Sequence, residues 1–109
     1  MKIIYNKFIP FKGFVAINLF GFIFARKEYK PLSTRVINHE AIHSAQMKEL
    51  LYIGFYLLYL LEWITRVFIS KNAYRNISFE REAYENETNS KYSSSRRRFG
   101  WTKYVFKRL

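Results

Sequence analysis

The sequence predicts a small α+β domain, mostly helical, with a short N-terminal strand or hairpin next to its first long helix. Three observations carry this. Residues 14–25 are rich in β-branched and aromatic side chains and lie between Gly13 and Arg26. From Arg35 onward Val36, His39, Ile42, His43, Gln46 and Leu50 recur at steps of three and four, the period of a helix. The chain has 109 residues, enough for one core and too few for two.

The elements follow in order. Residues 3–12 read as a short strand and turn, punctuated by Pro10 and Gly13. Residues 14–25 form one strand or a tight hairpin, with Gly21 as the bulge or turn. Ser33 or Thr34 caps the helix that starts near Arg35. Gly54 is the expected break, and a second helix runs from Phe55 to about Ile69. A third helix starts near Ile77 or Ser78 and runs to about Thr88. Residues 1–90 then make one domain, and residues 91–109 a basic, aromatic tail. The apolar run 50–61 is twelve residues long before Glu62 and Arg66 interrupt it. A spanning helix needs about 20 such residues, so this run reads as a buried core helix or an interfacial one, with the core reading favoured. Phe55, Tyr56, Tyr59 and Trp63 are expected in that core or at an interface.

Composition removes several function classes. There is no cysteine, which excludes disulfide frameworks, zinc ribbons and thiol catalysis. Half of the residues are hydrophobic and a fifth aromatic, so the chain is not a disordered one. Nineteen Lys and Arg against eight Asp and Glu give a net charge of +11, which attracts anionic partners. The tail holds seven of those basic residues and no acidic one, while residues 80–87 form an acidic island. The N-terminus has no secretory signal pattern, so a cytoplasmic location is expected, with membrane association as an option.

The only two histidines are His39 and His43, with Glu40 between them in His-Glu-Ala-Ile-His. Four residues apart on a helix, both imidazoles face one point. One turn matches the separation of two ligands that each bond zinc at about 2.0–2.1 Å. Glu40 stands beside that face, placed to take a proton from a metal-bound water rather than to bind the metal.

A catalytic zinc needs a third protein ligand. Glu49 is excluded: on a continuous helix it sits about 15 Å along the axis from His39. The remaining candidates are Glu80, Glu82, Glu85 and Glu87. Were residues 36–69 one straight helix, His43 to Ile69 would span about 39 Å. The eleven steps back to Glu80 reach only about 36–39 Å fully extended. A helix break is therefore required if Glu80 is the ligand. Glu80 and Glu82 lie about 200° apart on a helix, so only one of them faces the metal.

His39-Glu-Ala-Ile-His43, followed about forty residues later by Phe79-Glu-Arg-Glu-Ala-Tyr-Glu-Asn-Glu87, resembles the gluzincin metallopeptidases, especially their minimal members. The resemblance implies zinc held by His39, His43 and a glutamate on a later helix, with Glu40 as general base. It covers roughly residues 14–90 and makes 14–25 the edge strand that pairs with an extended peptide substrate. Aligned on Glu-x-x-Ala-Asp, the third ligand is Glu80, and Tyr84 replaces the Asp that orients the first histidine. With Glu82 as the ligand instead, Asn86 would take that orienting place. There is no third histidine, so a tyrosine, Tyr84 or Tyr74, would have to polarise the scissile carbonyl. The expected function is thus a zinc metallopeptidase acting on peptide or protein. The alternative is a basic membrane-associated or nucleic-acid-associated protein whose metal site is structural or vestigial, its fourth position filled by Glu82 or Glu85. For the tail, an anionic membrane surface and intramolecular docking are both open, and nucleic acid is the least favoured partner. Oligomeric state and cleavage preference are left undefined.

Overall fold

The computed structural model describes residues 2–68 and 76–105. Tyr74, Ile69 and Phe106 lie outside the described residues. The architecture is α+β: a three-stranded sheet at the N-terminus, then helices. Strands β1 (Ile3–Asn6), β2 (Ala16–Leu19) and β3 (Phe22–Arg26) lie in the order β1-β3-β2. β3 is central, parallel to β1 and antiparallel to β2. Residues 14–25 are therefore a hairpin. Leu19 pairs with Phe22, and both turn residues, Phe20 and Gly21, have positive φ. A two-residue turn of this kind matches the twist of its strands, with Gly21 bearing its φ of 92° at no steric cost. β1 and β2 are the two outer strands, and β2 is the one that borders helix residues 34–49.

Helix α1 (Thr34–Glu49) begins at Ser33, whose hydroxyl accepts from the Val36 N–H at 3.2 Å. Helix α2 (Ile53–Val67) follows at an angle of 109°. The break lies at Leu50–Tyr52 and not at Gly54, which falls inside α2. Leu51 and Tyr52 have φ of 54° and 62°. The Leu51 N–H donates to Lys48 C=O at 3.3 Å and the Tyr52 N–H to Met47 C=O at 2.7 Å. These two bonds define a Schellman ending, with leucine at the left-handed position where glycine is usual. Such a residue costs roughly 1–2 kcal/mol. Met47, Leu50 and Tyr52 offset it by packing in one apolar cluster with Phe55, Ile77 and Phe79. Full burial of a side chain such as Phe79 stabilises by about 1.5–3 kcal/mol.

Helix α3 (Ser78–Asn86) has no cap of its own. Glu62 of α2 supplies one, accepting from the Ser78 N–H and the Ser78 hydroxyl, each at 2.6 Å. An anion there also suits the positive end of the helix dipole. At the other end Asn38 of α1 donates to the carbonyls of Asn86, Glu87 and Asn89 at 2.8–3.2 Å. α3 is thereby tied to α2 at its start and to α1 at its end.

Of the two places left open for residues 92–105, the structure shows docking: they pack onto the domain as a short helix α4 (Tyr92–Ser95) and a 3-10 turn (Gly100–Tyr104). Trp101 lies against Phe79 with ring centroids 4.8 Å apart, and Tyr104 is buried. Arg96 reaches Glu82 at 2.9 Å and Glu49 at 3.0 Å. One expectation is corrected: α2 is not a core helix on all sides, since Phe55 and Arg66 are its only buried residues and Trp63 is 42% exposed. No single helix among the described residues is long and apolar enough to cross a membrane.

Candidate metal centre

α1 presents His39, Glu40 and His43 inward, all buried. α3 lays Glu80 across them. Glu80 Oε1 is 3.2 Å from His39 Nε2 and 3.1 Å from His43 Nε2. Among the described residues these three are the group whose ligand atoms converge, all within 4.8 Å of one another. Two ligands on one tetrahedral zinc, each bonded at about 2.0–2.1 Å, are separated by roughly 3.3 Å. The two separations from Glu80 Oε1 match that figure, and the donor set is one that suits a divalent metal of that kind.

The other ring nitrogens are held from behind. Glu87 Oε1 accepts from His39 Nδ1 at 2.8 Å, and Arg35 lies 3.3 Å from the same carboxylate. The side-chain oxygen of Gln46 accepts from His43 Nδ1 at 2.8 Å, while its amide donates to Phe79 C=O and to Glu82. With Nδ1 engaged on both rings, Nε2 is the nitrogen aimed at the shared point. Tyr59 donates to Glu80 Oε2 at 2.7 Å, leaving Oε1 toward the histidines. On the strand side, Asn18 of β2 donates to Glu40 C=O at 3.0 Å and to the Ser44 hydroxyl at 2.8 Å, fixing β2 against α1.

Charge follows this geometry. Burial alone would lift the Glu80 pKa, but charged His43 and hydrogen bonds from His39, His43 and Tyr59 hold it well below the usual carboxylate range. Burial alone would depress His43, yet the Glu80 charge and hydrogen bond raise it to about 9 in the metal-free chain. A metal held at Nε2 would take the place of that proton. Burial lifts Glu40 above its ordinary value, against the pull of His43 and His39.

Of the glutamates offered by the acidic island, Glu80 joins the histidines and Glu82 does not. The Glu82 carboxylate is fully buried and taken up by Tyr92, Gln46 and Arg96. Asn86 donates to Glu82 C=O and to the Tyr104 hydroxyl, away from His39. Glu85 is exposed. Tyr84 sets its ring edge-on to His39, centroids 4.7 Å apart. Sequence reasoning did not single out Gln46, Tyr59 or Asn18 for the site, and it offered Glu87 as a metal ligand, whereas the structure sets Glu87 behind His39, at Nδ1. Glu87 carried a usable signal, since it lies seven residues, two helical turns, after Glu80.

Two cavities flank Glu40. One, ≈ 240 Å³, is lined by β2 together with Met47, Phe55, Tyr56 and Tyr59. The other, ≈ 310 Å³, is lined by residues 13–16 together with Arg35, Tyr84 and Glu87. Ala16 and Glu40 belong to both, so residues 13–19 form one wall of a groove that passes the metal centre. It is aromatic and apolar on one side of Glu40 and charged on the other. No family model, curated protein or solved structure matches the chain. The resemblance to gluzincins rests on the two motifs alone.

Proposed function

We propose that the protein is a zinc-dependent peptidase of gluzincin type. The observation that carries this is the convergence of His39, His43 and Glu80 on one point, with Glu40 beside them in a groove bordered by an outer strand. Two histidines and one carboxylate are a catalytic zinc set, because they leave a coordination position open, whereas structural sites fill four with protein. Bound zinc supplies Lewis acidity and a water whose pKa falls towards about 7. The chain's own residues do the rest. An extended peptide lies along β2, adding a strand to the sheet, with its side chains in the two cavities. Glu40 receives the proton that water gives up as its oxygen bonds to the peptide carbonyl carbon. It then delivers that proton to the amine nitrogen as the C–N bond breaks. Tyr84, at the rim of the charged cavity, is the candidate to hydrogen-bond the carbonyl oxygen. Glu87 and Gln46 orient the two histidines, and Tyr59 orients Glu80.

Purified protein is expected to hold about one zinc per chain by elemental analysis and to cleave peptides in a mixed library. Glu40→Gln is expected to keep the zinc and lower kcat/KM about 10²–10⁴-fold. A wild type that takes up no zinc when supplied with it overturns the proposal, as does cleavage that survives Glu40→Gln unchanged. Glu87 gives a separate test of the histidine geometry. Glu87→Ala is expected to weaken zinc retention about 10–100-fold in competition with a chelator of known affinity. Glu87→Gln, which keeps an oxygen toward His39 Nδ1, recovers part of that loss.

A further inference from the structure

The outer face of α2 plays no part in the metal centre. Of residues 51–68, eleven are exposed; ten are Leu, Ile, Trp, Val or Phe, and the eleventh is Thr65. The Thr65 hydroxyl donates to Leu61 C=O at 2.9 Å, within the helix. The two charged side chains of α2 turn inward. Glu62 caps α3, and Arg66 is buried, donating to Val105 C=O at 2.7 Å. At 3.6 residues per turn the exposed positions, Ile53, Leu57, Leu60, Leu61, Ile64 and Val67 among them, cover roughly 220° of the helix. A helix facing water has the opposite pattern, polar outside and apolar inside.

The surface extends beyond α2. The tip of the β2–β3 hairpin is fixed to it, the Phe20 N–H donating to the Tyr56 hydroxyl at 3.0 Å. The Phe20 ring, 56% exposed, sits 5.1 Å from Tyr56, so it continues the same patch. Exposed lysines stand at both ends: Lys48 just before the helix break, and Lys103 in the turn that Arg66 holds against the end of α2. Contiguous apolar surface of this extent marks an interaction site.

We propose that α2 docks in the surface of an anionic lipid bilayer, with its outer face in the acyl region and Lys48 and Lys103 at the headgroups. Charge selects this occupant. Each chain carries +11, so two copies repel, whereas anionic headgroups attract it. A protein partner needs polar groups to fix its register, and the exposed arc offers Thr65 alone, already bonded. Length selects the mode. Fifteen residues make about 22 Å of helix, short of the ~30 Å hydrocarbon core, so α2 lies along the interface rather than across it. Trp63 suits the headgroup boundary. Phe55 and Tyr59, on the opposite side of α2, line the groove, which places peptide binding about one helix diameter, ~10 Å, from the lipid.

The test is co-flotation of the full chain with vesicles of phosphatidylcholine alone or with about a third phosphatidylglycerol, at physiological salt. Binding is expected to be at least tenfold tighter to the anionic vesicles. Lipids brominated on their acyl chains are expected to quench Trp63 emission, and Trp63→Phe to abolish the quenchable signal. Leu57→Ser with Leu61→Ser is expected to lower binding at least tenfold while circular dichroism stays unchanged. Glu40→Gln and Glu80→Ala are expected to bind vesicles like the wild type, so this proposal stands or falls apart from the peptidase one. Absence of flotation, equal binding to neutral vesicles, or a stable dimer that Leu57→Ser disrupts would overturn it.

Discussion

Glu80→Ala is expected to leave a folded chain that retains no stoichiometric zinc, whereas Glu82→Gln retains it. The two glutamates are two residues apart on one helix and both are buried, so burial does not separate them. Their surroundings do. Glu80 Oε1 lies at 3.1 and 3.2 Å from the two Nε2 atoms, and its replacement removes one of three converging donors. Two imidazoles alone hold zinc weakly, because the remaining positions are left to water. The fold is expected to tolerate the change, since Glu80→Ala removes the charge and hydrogen bond that raise the pKa of buried His43. Glu82 faces Tyr92, Gln46 and Arg96 instead, and glutamine keeps an oxygen for their donors. Elemental analysis of both variants beside the wild type, after dialysis against zinc, checks this. Zinc retained by Glu80→Ala and lost by Glu82→Gln would reverse the assignment.

How much of this was legible in the sequence depends on the range of the interaction that fixes each feature. His39, Glu40 and His43 were legible because a single helical turn brings them together. Glu80 was legible at one remove: chain reach demanded a break after α1, and the acidic island supplied the carboxylate. The position of the break was not. Glycine is the usual residue at a left-handed helix end, so Gly54 attracted the assignment. The structure places Leu51 there because the packing of Met47 and Tyr52 outweighs the local strain. Asn86 looked like the residue to orient a histidine, by counting four from Glu82. The orienting group is Glu87, just past the last turn of α3, where helical counting loses its hold and the bonds from Asn38 decide where the chain lies. α2 reads as a core helix by composition because hydropathy does not say which side of a helix has neighbours. Arg96 was indistinguishable from Arg97 and Arg98 in a run of three. Only contacts to residues 14 and 47 positions away set it apart.

That distinction yields the largest stability effect expected in the molecule. Arg96→Ala is expected to destabilise the fold by about 3–5 kcal/mol, the usual consequence of breaking a buried ion pair by removing one partner. Arg97→Ala and Arg98→Ala, at exposed positions, are expected to stay within about 0.5 kcal/mol of the wild type. The guanidinium of Arg96 holds two carboxylates, Glu49 at 3.0 Å and Glu82 at 2.9 Å, and the Glu82 side chain has no exposure at all. The chain closes tightly over this group. A Cβ added to Gly100 would lie 2.7 Å from Glu82 Oε2. In a domain stable by about 5–15 kcal/mol the loss is about a fifth of the total or more. It would appear as a fall in Tm of roughly 4–8 °C for each kcal/mol. The double variant Arg96→Ala with Glu82→Gln separates charge from packing. If the unpaired carboxylate is the cause, removing it recovers part of the loss, and the double variant is more stable than Arg96→Ala alone. If the double variant is the less stable of the two, the buried charge is not what Arg96 compensates, and its contribution is the packing of residues 92–105 against α1 and α3.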